Sequence, residues 1–181
     1  MSTHLRRRLT PRQILTLLVP SPRPWDDEPD HKEFEYKGAL CEIKRHPTLF
    51  HLCGYLHLWR NDIGVELTQD LCDTIPFHGG MTFYECKNKR RGKRNELRYS
   101  IGFDCAHLSD LSPGTLIGQA YLQGAVTEAK IGAFGMDVDV SQYKTMAFVE
   151  QELKDAVDWL CDWLQALRFT AGSSKPNEPK T

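Results

Sequence analysis

Near its C-terminal end the chain carries its strongest constraint. Met146, Val149, Leu153, Ala156, Val157, Leu160, Leu164 and Leu167 recur at three- and four-residue spacing, while Glu150, Glu152, Lys154, Asp155, Asp158 and Asp162 take other positions. Apolar residues at that period fall on one side of a helix, so residues 145–168 are expected to form one long amphipathic helix. A helix with a single apolar stripe needs a surface to cover, and the sequence before it supplies strands. Trp159 and Trp163, four residues apart, make an aromatic ridge expected to pack on a sheet or on a second copy.

The strand-like segments alternate with period two. Residues 34–43 read as a strand, a turn at Gly38 and a second strand. In 51–59, Leu52, Leu56 and Leu58 share one face, and His51, Cys53, Tyr55, His57 and Trp59 share the other. Two more strands, ending near Cys86 and spanning 97–103, flank a Gly- and Asn-bearing turn; Leu97, Tyr99, Ile101 and Phe103 hold the apolar positions of the second. A weaker helical signal lies around Leu116, within a Gly- and Pro-bearing excursion from Ser112 to Gly135.

At the other end, Thr10 as N-cap and Pro11 at the first helical position open a short amphipathic helix that stops before Pro20. Its apolar run is too short for a signal peptide or a membrane span. The fold class that follows is α+β: a mainly antiparallel sheet packed by the long C-terminal amphipathic helix, with an N-terminal helical arm. Residues 1–33 form that arm and a Pro-rich linker, 34–170 a single α+β domain, and 171–181 a tail disordered by composition.

Composition excludes some classes of function. At 181 residues and 40% hydrophobic, the chain has enough for one sizeable core, and its formal charge of −1 argues against a protein that coats nucleic acid over its whole surface. Six cysteines come with no CxxC pair, so they are expected as reduced thiols.

Two segments concentrate residue types that do chemistry. One is His78-Gly79-Gly80-Met81-Thr82-Phe83; the other is Ile101-Gly102-Phe103-Asp104-Cys105-Ala106-His107. An antiparallel pair puts the start of one strand beside the end of the next, so both segments are expected at one end of a hairpin. The expected ligand site comprises His78, Gly79, Gly80, Thr82, Asp104, Cys105, His107 and Tyr55. Gly79 and Gly80 would leave amides open to an anion, and Thr82 and Asp104 would hydrogen-bond a ribose or a base edge. Three readings stand side by side: turn-capping and core packing, ligand binding without turnover, and catalysis by a metal or a Cys-His pair. No HExxH, CxxC or Walker-type spacing is present, so no metal ligand, cofactor or catalytic residue is assigned, and an enzyme is the less favoured reading.

Between the two segments, Lys87, Lys89, Arg90, Arg91, Lys93, Arg94 and Arg98 put seven cations within twelve positions. Such a run engages phosphates in a salt-dependent way, with Lys89, Arg90, Arg91, Lys93 and Arg94 as the expected contacts. The run itself contains no aromatic residue of the kind a single-strand binder interleaves.

Together with Cys53-Gly54-Tyr55 and Tyr143-Lys144-Thr145, the two motifs resemble a family of small uncharacterised bacteriophage and prophage proteins with HGG-[L/M]-T-[F/Y] and GFDCAH signatures. The resemblance covers roughly residues 34–168; the arm and the basic run depart from it. It implies a phage accessory protein of counter-defence type in the host cytoplasm, not membrane-bound. Such a protein is expected to bind a small anionic, nucleotide-like ligand as a homo-oligomer. The alternatives are a metal- or Cys/His-dependent hydrolase of that ligand, and an inhibitor of a host nucleic-acid machine acting through protein contact and the basic hairpin 87–98.

Overall fold

The computed structural model describes residues 9–122 and 138–172, with the side chains of 171 and 172 excepted. Its elements run α1 (Pro11–Leu18), β1 (His31–Tyr36), β2 (Ala39–Arg45), β3 (Leu52–Trp59), α2 (Arg60–Ile63), α3 (Gln69–Cys72), β4 (Phe83–Arg91), β5 (Arg94–Asp104), α4 (Pro113–Leu122), a 3-10 turn (Val140–Gln142) and α5 (Met146–Gly172). The five strands form one sheet in the order β1-β2-β3-β5-β4. The fold is α+β, with a long C-terminal helix. The expected tail falls largely outside the described residues, as does most of the excursion after Leu122.

Local sequence accounts for most of these elements. Thr10 and Gln13 form a reciprocal capping box at the start of α1, with Pro11 in the first turn, where its missing N–H costs nothing. β1 and β2 are joined through Lys37 and Gly38, whose φ angles of 48° and 81° match a two-residue hairpin turn. Lys37, the less willing of the two, is tied down by Asp158 on α5 at 2.8 Å. β4 and β5 are longer than their sequence suggested. Their ladder runs without a break from Phe83↔Gly102 to Arg91↔Arg94, so the basic run is itself strand and the turn shrinks to Gly92 and Lys93. Lys89 opposite Glu96 favours the extended pairing, whereas Lys87 opposite Arg98 and Arg91 opposite Arg94 are like charges that the backbone ladder holds together.

The chain divides into two compact units. Of the described residues, unit 1 holds 9–32, 43–53, 104–122 and 138–149, and unit 2 holds 33–42, 54–103 and 150–172.

In unit 1, α1 packs against α4 and buries Ile14, Leu15 and Leu18. The N-terminal helix thus belongs to a packed unit. A buried ionic cluster fastens the segment that follows it. The Arg45 side chain is only 4% exposed and reaches Glu28 at 3.1 Å and Asp30 at 2.9 Å. It also donates to the Tyr143 hydroxyl at 2.6 Å and to the Phe50 carbonyl at 3.1 Å. Phe50 sits at φ 62°, an uncommon angle for a non-glycine residue, and Arg45 holds the carbonyl of that strained turn. Glu28 in turn accepts from the Tyr143 hydroxyl and from the Met146 amide, each at 2.6 Å. A carboxylate at that amide suits the positive end of α5.

In unit 2, Leu153, Ala156, Val157 and Leu160 of α5 are buried, as the spacing requires, together with Cys41, Leu56, Tyr99, Ile101 and Phe103 from the strands. Trp159 and Trp163 are only partly covered. Among the described residues no helix is long and apolar enough to cross a membrane.

Removing one partner of a buried ion pair strands the other charge, at a cost of about 3–5 kcal/mol. Arg45→Leu should therefore lower the unfolding free energy by about that amount in urea titrations, and Lys37→Ala, at an exposed pair, should shift the urea midpoint far less.

Candidate functional site

β5 positions the functional side chains by simple alternation. Its odd residues Tyr99, Ile101 and Phe103 are buried, so Arg98, Ser100 and Gly102 project from the opposite face of the sheet. The register with β4 places Phe83 beside Gly102, Glu85 beside Ser100 and Lys87 beside Arg98. On the other side of β5, strand β3 contributes Tyr55, His57 and Trp59 to the same face.

Gly102 is required by space. A Cβ there would lie 2.6 Å from the Gly54 carbonyl oxygen and 2.7 Å from the Tyr55 ring. The Tyr55 ring thus lies across Gly102 and meets Phe83 edge-on, with centroids 5.5 Å apart. Phe83 remains 40% exposed. Further along β3, Trp59 carries two guanidinium groups, Arg91 at 5.1 Å and Arg98 at 5.9 Å from the ring centroid. Arg91 is shared with Asp62 through two 2.9 Å contacts, whereas the buried Nε of Arg98 has no hydrogen-bond partner. The strand pairing thus brings Tyr55, Trp59 and Phe83 alongside the basic run, which has no aromatic of its own. The sequence puts Tyr55 and Trp59 on one strand face and the aromatic Phe83 nearby, but it does not show Arg91 and Arg98 against Trp59. The missing step was the register, which no single strand encodes.

At the centre of this face, Ser100, His57 and Glu42 form a hydrogen-bonded row across three neighbouring strands. His57 Nδ1 lies 2.9 Å from the Ser100 hydroxyl, and Nε2 lies 3.1 Å from the Glu42 carboxylate. The carboxylate selects the tautomer with the proton on Nε2, leaving Nδ1 to accept from Ser100. The order resembles an activated hydroxyl, yet Ser100 is only 4% exposed and lies within a strand flanked on both sides, where the ladders use the backbone amides. Buried in this way, the row serves as a polar anchor under the aromatic surface.

The expected motif residues divide between the two units. In unit 2, Gly79 and Gly80 adopt φ 68° and 90°, which explains the diglycine as a turn, and the Gly80 amide donates to the Phe77 carbonyl at 2.9 Å. His78 is half-buried, and Thr82 is exposed with its amide bonded to the Gly102 carbonyl, one step beyond the β4 ladder. In unit 1, Asp104 accepts from the Ala106 amide and Asp110 from the His107 amide, both at 3.1 Å. His107 Nδ1 lies 3.9 Å from Asp104 and 3.7 Å from Asp110, and Lys144 reaches Asp110 at 3.6 Å. Asp104 thus orders a turn and helps surround an imidazole with carboxylate.

Cys105 is 1% exposed, and burial, with Asp110 second, pushes its thiol well above the ordinary cysteine range. It stays protonated near neutrality and lacks the thiolate a nucleophile needs. None of the six cysteines forms a disulfide; Cys86 is exposed and lies on β4. His51 is also buried, stacked on His46 with centroids 4.9 Å apart. Burial first, and the neighbouring His46 second, hold His51 below the usual histidine value of 6.5.

Compared with known proteins, the chain matches no family model, no curated protein and no solved structure.

Two outcomes follow from the titrating groups. His51 is neutral in the fold, so between its lowered value and 6.5 the unfolded chain binds more protons and stability falls as pH drops. Urea midpoints measured from pH 7.5 down to 5 should fall more steeply for the native chain than for His51→Gln. Iodoacetamide on the folded protein should modify Cys86 well before Cys105, read by peptide mass analysis, and Cys105 should react only after unfolding.

Proposed function

We propose that this chain binds a short single-stranded nucleic acid across the Tyr55/Phe83/Trp59 face of unit 2. The observation that carries the reading is one surface with an aromatic pair at one end, Phe83 exposed and Tyr55 half-buried, and guanidinium groups stacked on an indole at the other. Bases stack on aromatic rings with little regard to sequence, and fixed guanidinium groups meet phosphates through paired hydrogen bonds. Tyr55 and Trp59 are four residues apart on β3, about 13 Å along a strand, so the two contact points suit an oligonucleotide better than an isolated base. Lys87, Lys89, Lys93 and Arg94 extend the positive surface along the hairpin, adding a salt-sensitive attraction.

The reading is one of binding without turnover. A buried, protonated Cys105 and a Ser100 enclosed by ladders support that part of it. The motifs' resemblance to phage accessory proteins would set such a ligand in the context of host defence, but the reading itself rests on the sheet face.

Fluorescence anisotropy with labelled ten-nucleotide DNA and RNA strands tests it, with ATP as the small-nucleotide comparison. Phe83→Ala should weaken strand binding roughly 5- to 150-fold, the range for one lost stacking contact. Replacing Lys89, Lys93 and Arg94 together by Gln should reduce the slope of log affinity against log salt by about 2, at roughly 0.7 per phosphate contact. Binding indifferent to Phe83→Ala, or tight binding of ATP with none of either strand, would overturn the reading.

A further inference from the structure

Unit 2 also contains a cavity that shares only Trp59 with the proposed nucleic-acid surface. It measures about 460 Å³ and opens between the second half of α5 and the strands below it. Leu58 and Ile63 form one wall; Val157, Leu160 and Leu164 form the other. Cavities of this size, mostly apolar with a few placed polar groups, are typical of small-molecule sites.

The helix shows why this space is a site as well as a gap. Its apolar stripe is covered as far as Val157 at 2% and Leu160 at 3% exposure. The same stripe then continues through Leu164, which lines the cavity, to Leu167 at 38% exposure. Among the described residues, the apolar stripe therefore runs on beyond the point where the core covers it.

The polar groups at the cavity carry a preference of charge. Lys37 and Arg168 both line it, with Gln165 beside them. Asp62, the acidic residue of the lining, is engaged by Arg91. Lys37 is shared with Asp158, which leaves Arg168 as the stronger attraction for an anion. An apolar interior with cations in its lining matches an amphipathic anion, and among such molecules an unbranched chain suits a space lined by leucine, isoleucine and valine.

We infer that the cavity binds an amphipathic carboxylate, with its hydrocarbon chain between α5 and Leu58/Ile63 and its head group at Arg168 and Lys37. The contacts divide the work: the walls set the chain length accepted, and the cations distinguish a carboxylate from a neutral alcohol of equal length.

Isothermal titration of the full chain with decanoate, below its micelle concentration, tests this, with 1-decanol as the uncharged comparison. Decanoate should bind one to one and at least about tenfold more tightly than decanol. The double variant Lys37→Gln/Arg168→Gln should erase that difference and leave decanol binding unchanged. Leu164→Trp, at a partly exposed position, should fill the cavity and abolish binding of both compounds while the circular dichroism spectrum is retained. Ile63→Phe, from the opposite wall, supplies the same test should Leu164→Trp fail to fold. Three results would overturn the inference: no binding at about 1 mM decanoate, binding unaffected by the filled cavity, or a dimer by light scattering that Leu164→Trp converts to monomer. The last would identify a second copy as the occupant.

Discussion

Strand β5 must satisfy opposite demands on its two faces, and the character of unit 2 depends on that. Tyr99, Ile101 and Phe103 belong to the apolar core, while Arg98, Ser100 and Gly102 carry the polar and aromatic surface. A one-residue slip would exchange the sets, driving a guanidinium into the core and placing a phenylalanine in water. The tolerance is tightest at Gly102, because the Tyr55 ring occupies the space a side chain would need. The same crowding holds the ring flat against the sheet and edge-on to Phe83. The packing of β5 and the placing of the aromatic pair are thus two results of one geometric restriction.

Unit 1 depends on a different interaction. Arg45 gathers Glu28, Asp30, Tyr143 and the Phe50 carbonyl around one guanidinium, and Glu28 passes the connection on to the first amide of α5. Burial and the contact with Glu28 raise the Tyr143 hydroxyl far above its ordinary range, so it remains a donor at any physiological pH. The cluster is charged yet well partnered, the condition under which buried ions are tolerated. It also joins residues more than a hundred positions apart in sequence, which local signals do not reveal.

How much of this was legible follows from the range of each signal. Capping and proline placement reveal α1 because they act within three residues, and helical periodicity reveals α5 because its stripe repeats through several turns. The β1–β2 turn was readable at Gly38 for the same local reason. The basic run was read as a turn because composition there outweighed alternation, whereas pairing across the ladder extends both strands through it. The two motifs were legible as chemistry but less so as geometry. Asp104 and the Gly80 amide have roles in turns, a competition between local backbone bonds and ligand contacts that residue types alone cannot resolve. The aromatic face was legible in part: alternation puts Tyr55 and Trp59 on one side of β3, whereas Phe83 and Arg98 join them only through register.

The position of β4 at the end of the strand order gives its cations a further consequence. A terminal strand nine residues long is a template to which another extended chain can add by backbone pairing. Lys87, Lys89, Arg90 and Arg91 line that strand, so a second copy approaching edge to edge meets a row of like charges. The residues that would draw a polyanion thus also serve as gatekeepers against self-templated aggregation. Neutralising these cations would therefore also lower the barrier to edge-to-edge pairing, whatever the edge binds.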